Sequence, residues 1–163
     1  MDTQDLHASF DQFTRLRRAA IDLLDDIPAN LRTTIPAGMK NNIHWQAGHI
    51  LTVQASLLYR RCGVQSPVSD DYYDAFGKGT SPADWNGQAP SFDAVRSQLD
   101  TSIDQLAVDI LRMGSLQYPE PITVSTGDRL GSFADALRFL PVHEAIHLGV
   151  ITAMHRILTH ESI

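Results

Sequence analysis

The chain has 163 residues, 43% of them hydrophobic, and a formal net charge of −6. That length is one domain's worth and enough to bury a core, while the acidic balance, with no run of Lys and Arg, speaks against a nucleic-acid partner. The single Cys62 excludes an intramolecular disulfide and fits a reducing compartment; the acidic start Met1-Asp2-Thr3-Gln4-Asp5 is unlike a secretory signal, and no apolar run approaches the ~20 residues of a membrane span, so one cytoplasmic domain over residues 1–163, with no membrane partner, is expected.

Leu6, Phe10, Phe13, Leu16, Ala20, Leu24 and Ile27 recur at three- and four-residue steps, which predicts an amphipathic helix stopped by Pro28. Residues 28–40 hold two prolines and a glycine and read as a connection. A second helix is predicted from Asn42 to Cys62, ending at Gly63, with Ile43, Ala47, Ile50, Gln54, Leu57 and Leu58 as its row. Residues 63–90 lose helical period and contain Pro67, Pro82 and Pro90. A connection this long is either functional or the crossover that lets a bundle change helix order.

Ser91 is placed to cap a third helix with Asp93 in its first turn. Phe92, Val95, Leu99, Ile103, Leu106, Ile110 and Met113 form its row, the cleanest in the chain. In residues 114–131, the piece Pro121-Ile122-Thr123-Val124 is β-branched and reads as extended, in a small hairpin. Ser132 opens the last helical region, which runs to about Leu158. Pro141 falls within it, as a kink or as the first position of the final helix. Four amphipathic helices with little strand signal make an all-α four-helix bundle, with a long crossover between helices 2 and 3.

The chemistry lies in the histidines. His143 and His147 are four apart, hence ~40° apart around a helix and ~6 Å along it, so both imidazoles can reach one ion. His143-Glu144-Ala145-Ile146-His147 also spells H-E-x-x-H, the zinc-protease signature. Its long form needs a glycine and a histidine where Val150 and Ala153 stand, and only Glu161 follows as a carboxylate ligand. A peptidase is therefore not expected. His44 and His49 are ~140° apart, so only one faces a given site; His49 follows Gly48, which permits close approach of a neighbour. His155 would lie ~12 Å from His147, too far to share an ion, and His7 and His160 are expected to be solvated. The competing reading is a set of hydrogen-bonded core histidines. Two on one helix face and a third on another helix favour a metal held by His49, His143 and His147. Three neutral imidazoles suit zinc or nickel, with iron, copper and manganese as further candidates, and leave a coordination position open. Glu144 is a candidate for orienting a ligand from behind, for general base on bound water, or for plain solvation.

These residues resemble the DinB/YfiT-like superfamily of metal-binding four-helix bundles. Trp45-Gln46-Ala47-Gly48-His49 is similar to its second-helix motif, Phe76-Gly77-Lys78-Gly79-Thr80-Ser81-Pro82 to its connection between helices two and three, and Ala136-Leu137-Arg138-Phe139-Leu140 followed by His143-Glu144-Ala145-Ile146-His147-Leu148-Gly149 to its fourth-helix signature. The resemblance implies an up-up-down-down bundle, a divalent metal on His49, His143 and His147, and a homodimer. Relatives include transferases and isomerases that use a low-molecular-weight thiol such as bacillithiol or mycothiol. Others have no known activity, and some are named only for induction by DNA damage. The mycothiol-dependent isomerases carry a glutamate where His143 stands here.

Three functions follow as expectations. The first is a metal-dependent S-transferase using a low-molecular-weight thiol, the second a hydrolase with a metal-activated water, and the third a metal-dependent binding or stress-response module without turnover. The space beside the open position separates them. A basic cavity suits an anionic thiol, a narrow apolar one a small hydrolytic substrate, and a sealed one no chemistry. Tyr72, Tyr73, Phe76 and Lys78 are expected to line it if the long connection folds over the site.

Overall fold

The computed structural model describes residues 3–160. Its helices are α1 (Thr3–Asp26), α2 (Ala29–Thr33), α3 (Ile43–Leu58), α4 (Asp70–Phe76), α5 (Phe92–Met113) and α6 (Phe133–His160); strands β1 (Gln117–Thr123) and β2 (Arg129–Ser132) separate the last two. The long helices form the bundle. α1 and α3 each pack against both α5 and α6. No described helix is long and apolar enough to cross a membrane.

Local chemistry sets the boundaries. The Asn42 side chain accepts from Trp45 N at 2.8 Å and starts α3; Ser91 accepts from Ala94 N and starts α5, as its sequence predicts. Ser132 accepts from Asp135 N at the head of α6. Val95, Leu99, Ile103, Leu106, Ile110 and Met113 are all buried, so the α5 row is its core face. On α1 the inward face differs from the predicted row: Phe10 is only partly buried, and Ile21, outside the row, is buried. Leu16 is only partly buried, while Arg17 beside it is fully enclosed. Phe13, Arg17, Ala20 and Leu24 keep three- and four-residue steps, so the face runs through the arginine.

Four further differences have local causes. α3 stops at Leu58 rather than Cys62, and Arg60–Cys62 form one 3-10 turn that closes on Gly63 in the left-handed region (φ 71°). Pro141 does not start a helix; α6 is continuous through it. The ring has no N–H for the Leu137 carbonyl, a loss this 28-residue helix absorbs. The long connection also carries structure of its own, α4 and a Pro82–Asp84 turn that Ser81 and Asp84 cap reciprocally. The hairpin is longer than the predicted extended piece and irregular between Gln117 and Ile122, where Pro119 and Pro121 cannot donate to a ladder.

Two apolar clusters result, with Phe10 packed against both. On α6, Leu137 and Leu140 serve one and Ile151 and Met154 the other. His143 and His147 occupy the stretch between.

Candidate metal centre

α3 is buried along nearly its whole length, His49 included. Gly48 makes this possible. A Cβ built on it would lie 2.3 Å from Phe76 Cγ, so only glycine lets the Phe76 ring rest on the helix. That approach carries the Phe76 carbonyl to His49 Nδ1 at 2.8 Å. Trp45 stacks on the other side of His49, with ring centroids 4.4 Å apart and planes within 14°, and its Nε1 donates to Thr80 Oγ1 at 2.9 Å. The long connection thus fixes the ring of His49 from two directions.

His143 and His147 come from α6. Their ring centroids are 4.4 Å apart, and those of His49 lie 5.5 and 4.9 Å from them. One ligand nitrogen from each of the three falls within 4.8 Å of the others, so this set could hold a metal ion. His147 Nδ1 meets Gln46 Oε1 at 2.6 Å. Both oxygens facing Nδ1, in His49 and His147, are acceptors. Nδ1 therefore carries the proton in each ring, and Nε2 keeps its lone pair. His143 Nδ1 is buried with no hydrogen-bond partner among the described residues. Burial first, and then the neighbouring His147, His49 and Arg17, push the His143 pKa down to about 2; burial and His49 push that of His147 down to about 4. His49 is lowered too, by burial. Uncharged rings with convergent lone pairs, and a buried nitrogen the protein does not satisfy, fit a divalent ion better than a plain core cluster.

The other predicted residues go elsewhere. His44 packs against Phe76, Trp85 and Phe92, with its Nε2 unpartnered, and lies outside the cluster. His155 is partly buried and also outside it, and His7 is exposed. The His160 side chain and Glu161 lie outside the described residues. Glu144 does not join the cluster either. It is buried, and Arg17 donates to both of its oxygens, from Nε at 3.0 Å and Nη2 at 2.5 Å, while Nη1 donates to Ser102 at 2.9 Å. The geometry thus places Glu144 in a salt bridge between α1 and α6, outside the histidine cluster.

The cluster opens into a cavity of about 510 Å³. Besides the three histidines it is lined by Val53, Leu57, Phe139 and Ile146, by the hairpin residues Ile122–Thr126, and by Arg61 and Lys78. Of the four residues expected to line it, only Lys78 does. Tyr72 and Phe76 are buried in the core, and the Tyr73 hydroxyl meets Ser66 with Arg60 over its ring. Cys62 does not line it, and burial raises its thiol pKa.

Sequence reading missed Gln46, Arg17, Arg61 and the hairpin wall. Gln46 had a signal, since it lies three residues before His49 on a helix that is buried all round. The Phe76 carbonyl had none, because a backbone oxygen is the same in every residue.

A family model described as the DinB superfamily matches residues 12–151. No curated protein matches the chain.

Proposed function

The chain belongs to the DinB superfamily, and on that premise we propose that it is a metal-dependent S-transferase that uses a low-molecular-weight thiol. One observation carries the reading. Three uncharged imidazoles converge at the end of an open cavity with two cations and no carboxylate in its lining. His49, His143 and His147 would hold a divalent ion, zinc or nickel by their chemistry. When bound, that ion supplies a Lewis acid that lowers the pKa of a thiol at the open position. The chain's own residues do the rest. Gln46 and the Phe76 carbonyl fix two ligand rings in their tautomer and orientation. Val53, Leu57, Phe139 and Ile146 give the cavity an apolar wall that excludes water and leaves room for an electrophile.

The test uses cobalt-substituted protein carrying Cys62→Ser, so that no thiol of the chain contributes. Addition of a small thiol is expected to produce a sulfur-to-metal charge-transfer band that grows with pH and is lost in His147→Ala. A spectrum moved by azide and acetate but by no thiol would overturn the transferase reading in favour of a hydrolase. A spectrum that nothing moves would leave a binding module without turnover.

A further inference from the structure

The cavity mouth has a charge pattern that the three histidines do not explain. Arg61 stands in the turn after α3, and Lys78 just past the end of α4. Both are exposed, both line the cavity, and neither has an ion-pair partner among the described residues. Arg60, one residue earlier, is by contrast paired with Asp70 and lies over Tyr73. Among the described residues no Asp or Glu lines the cavity, although the chain has 19 of them against 13 Lys and Arg. In a net-negative molecule this opening thus presents two cations and no carboxylate. Two cations at the rim of a low-dielectric wall focus a positive potential into the space between them. The buried part of the lining is apolar, with Leu57 and Phe139. A ligand matching both features carries an apolar middle and an anionic group away from the end that reaches the histidines.

We propose that Arg61 and Lys78 form a subsite for an anionic group, a carboxylate or phosphate, on the thiol that this site takes. The inference rests on the metal-centre reading above. It assigns the two side chains a role in selecting the ligand and none in the chemistry. Guanidinium and ammonium groups both pair with carboxylate and phosphate, the former bidentately.

The experiment titrates cobalt-substituted protein with matched thiols of increasing chain length, each as an ω-mercaptocarboxylate and an ω-mercaptoalcohol, and reads Kd from the cobalt spectrum. At one or more lengths the carboxylate is expected to bind at least fivefold more tightly than its alcohol. The ratio should fall to near one in Arg61→Ala/Lys78→Ala, whose metal content should be unchanged because both side chains are exposed. A ratio equal in the native protein and the double variant overturns the subsite. A second pair, glutarate against butyrate, separates this failure from failure of the thiol reading. If every thiol is silent yet glutarate outbinds butyrate only in the native protein, the subsite stands and the transferase falls. If glutarate shows no such advantage either, both fall.

Discussion

His143 and His147 are held neutral by their surroundings, and this has a consequence for stability that can be measured without any metal. In the unfolded chain each ring takes up a proton near pH 6.5. In the folded chain His143 refuses it until about 2 and His147 until about 4. As pH falls below 6.5 the unfolded state therefore binds protons that the folded state cannot, and stability falls with pH. The loss continues to about pH 4 for His147 and further for His143. Each ring contributes up to about 1.4 kcal/mol per pH unit, so the pair should remove about 2–3 kcal/mol between pH 6 and 5. Urea unfolding of metal-free protein at pH 7, 6 and 5 measures this. A flat profile would mean that the rings titrate normally and are not enclosed as described. The same neutrality keeps their lone pairs available to a cation at pH values where an exposed histidine would be charged.

At the scale of elements, the contact between α3 and α4 decides whether the His49 ring is in place. Phe76 is fully buried, and its ring also meets His44, Tyr72 and Trp85, so it has no room to retreat from a methyl group at position 48. Gly48→Ala should cost about 1–3 kcal/mol through overpacking, lowering Tm by roughly 3–10 °C for a chain of this size. It should also weaken metal binding, because the Phe76 carbonyl that holds His49 moves with the ring. Phe76→Leu in the same background should recover part of the Tm, and an alanine variant as stable as the parent would remove glycine's role. This contact also marks what the sequence can disclose. The rows on α1, α3 and α5 and the caps at Ser91 and Ser132 are legible because burial and capping act on side chains spaced along one helix. The three histidines are legible for the same reason, as is the clearance that Gly48 provides. The cavity wall is not. It joins the hairpin, the end of α3 and its following turn, Lys78 of the long connection and α6, which are far apart in sequence and share no period. The choice of Lys78 without Tyr72 or Tyr73 depends on the direction in which α4 lies across α3, which no spacing rule specifies.

For the whole molecule, the Arg17–Glu144 pair is a buried tie between α6, the helix that carries His143 and His147, and the rest of the bundle. Both side chains are fully enclosed, and the guanidinium reaches α6 through Glu144 and α5 through Ser102 while it belongs to α1. It crosses the level at which α6 passes from one apolar cluster to the other, next to His143, whose lowered pKa it helps to set. Two buried charges in mutual contact add little to stability compared with a well-fitted apolar pair, but either one alone is costly. Arg17→Met should therefore lose about 3–5 kcal/mol by stranding the carboxylate, and Glu144→Leu a comparable amount by stranding the guanidinium. The double variant should recover most of that loss, so the two effects should be strongly non-additive. The same variants bear on the H-E-x-x-H spelling. If Glu144 served a bound water as a general base, Glu144→Gln would abolish a chelator-sensitive peptide hydrolysis. The bidentate grip of Arg17 predicts that native protein has no such activity and that Glu144→Gln keeps its metal. Single variants costing under about 1 kcal/mol, or additive losses in the double, would show that the pair is solvated and that α1 and α6 are held together by their apolar faces and the surface Arg138–Asp5 pair instead.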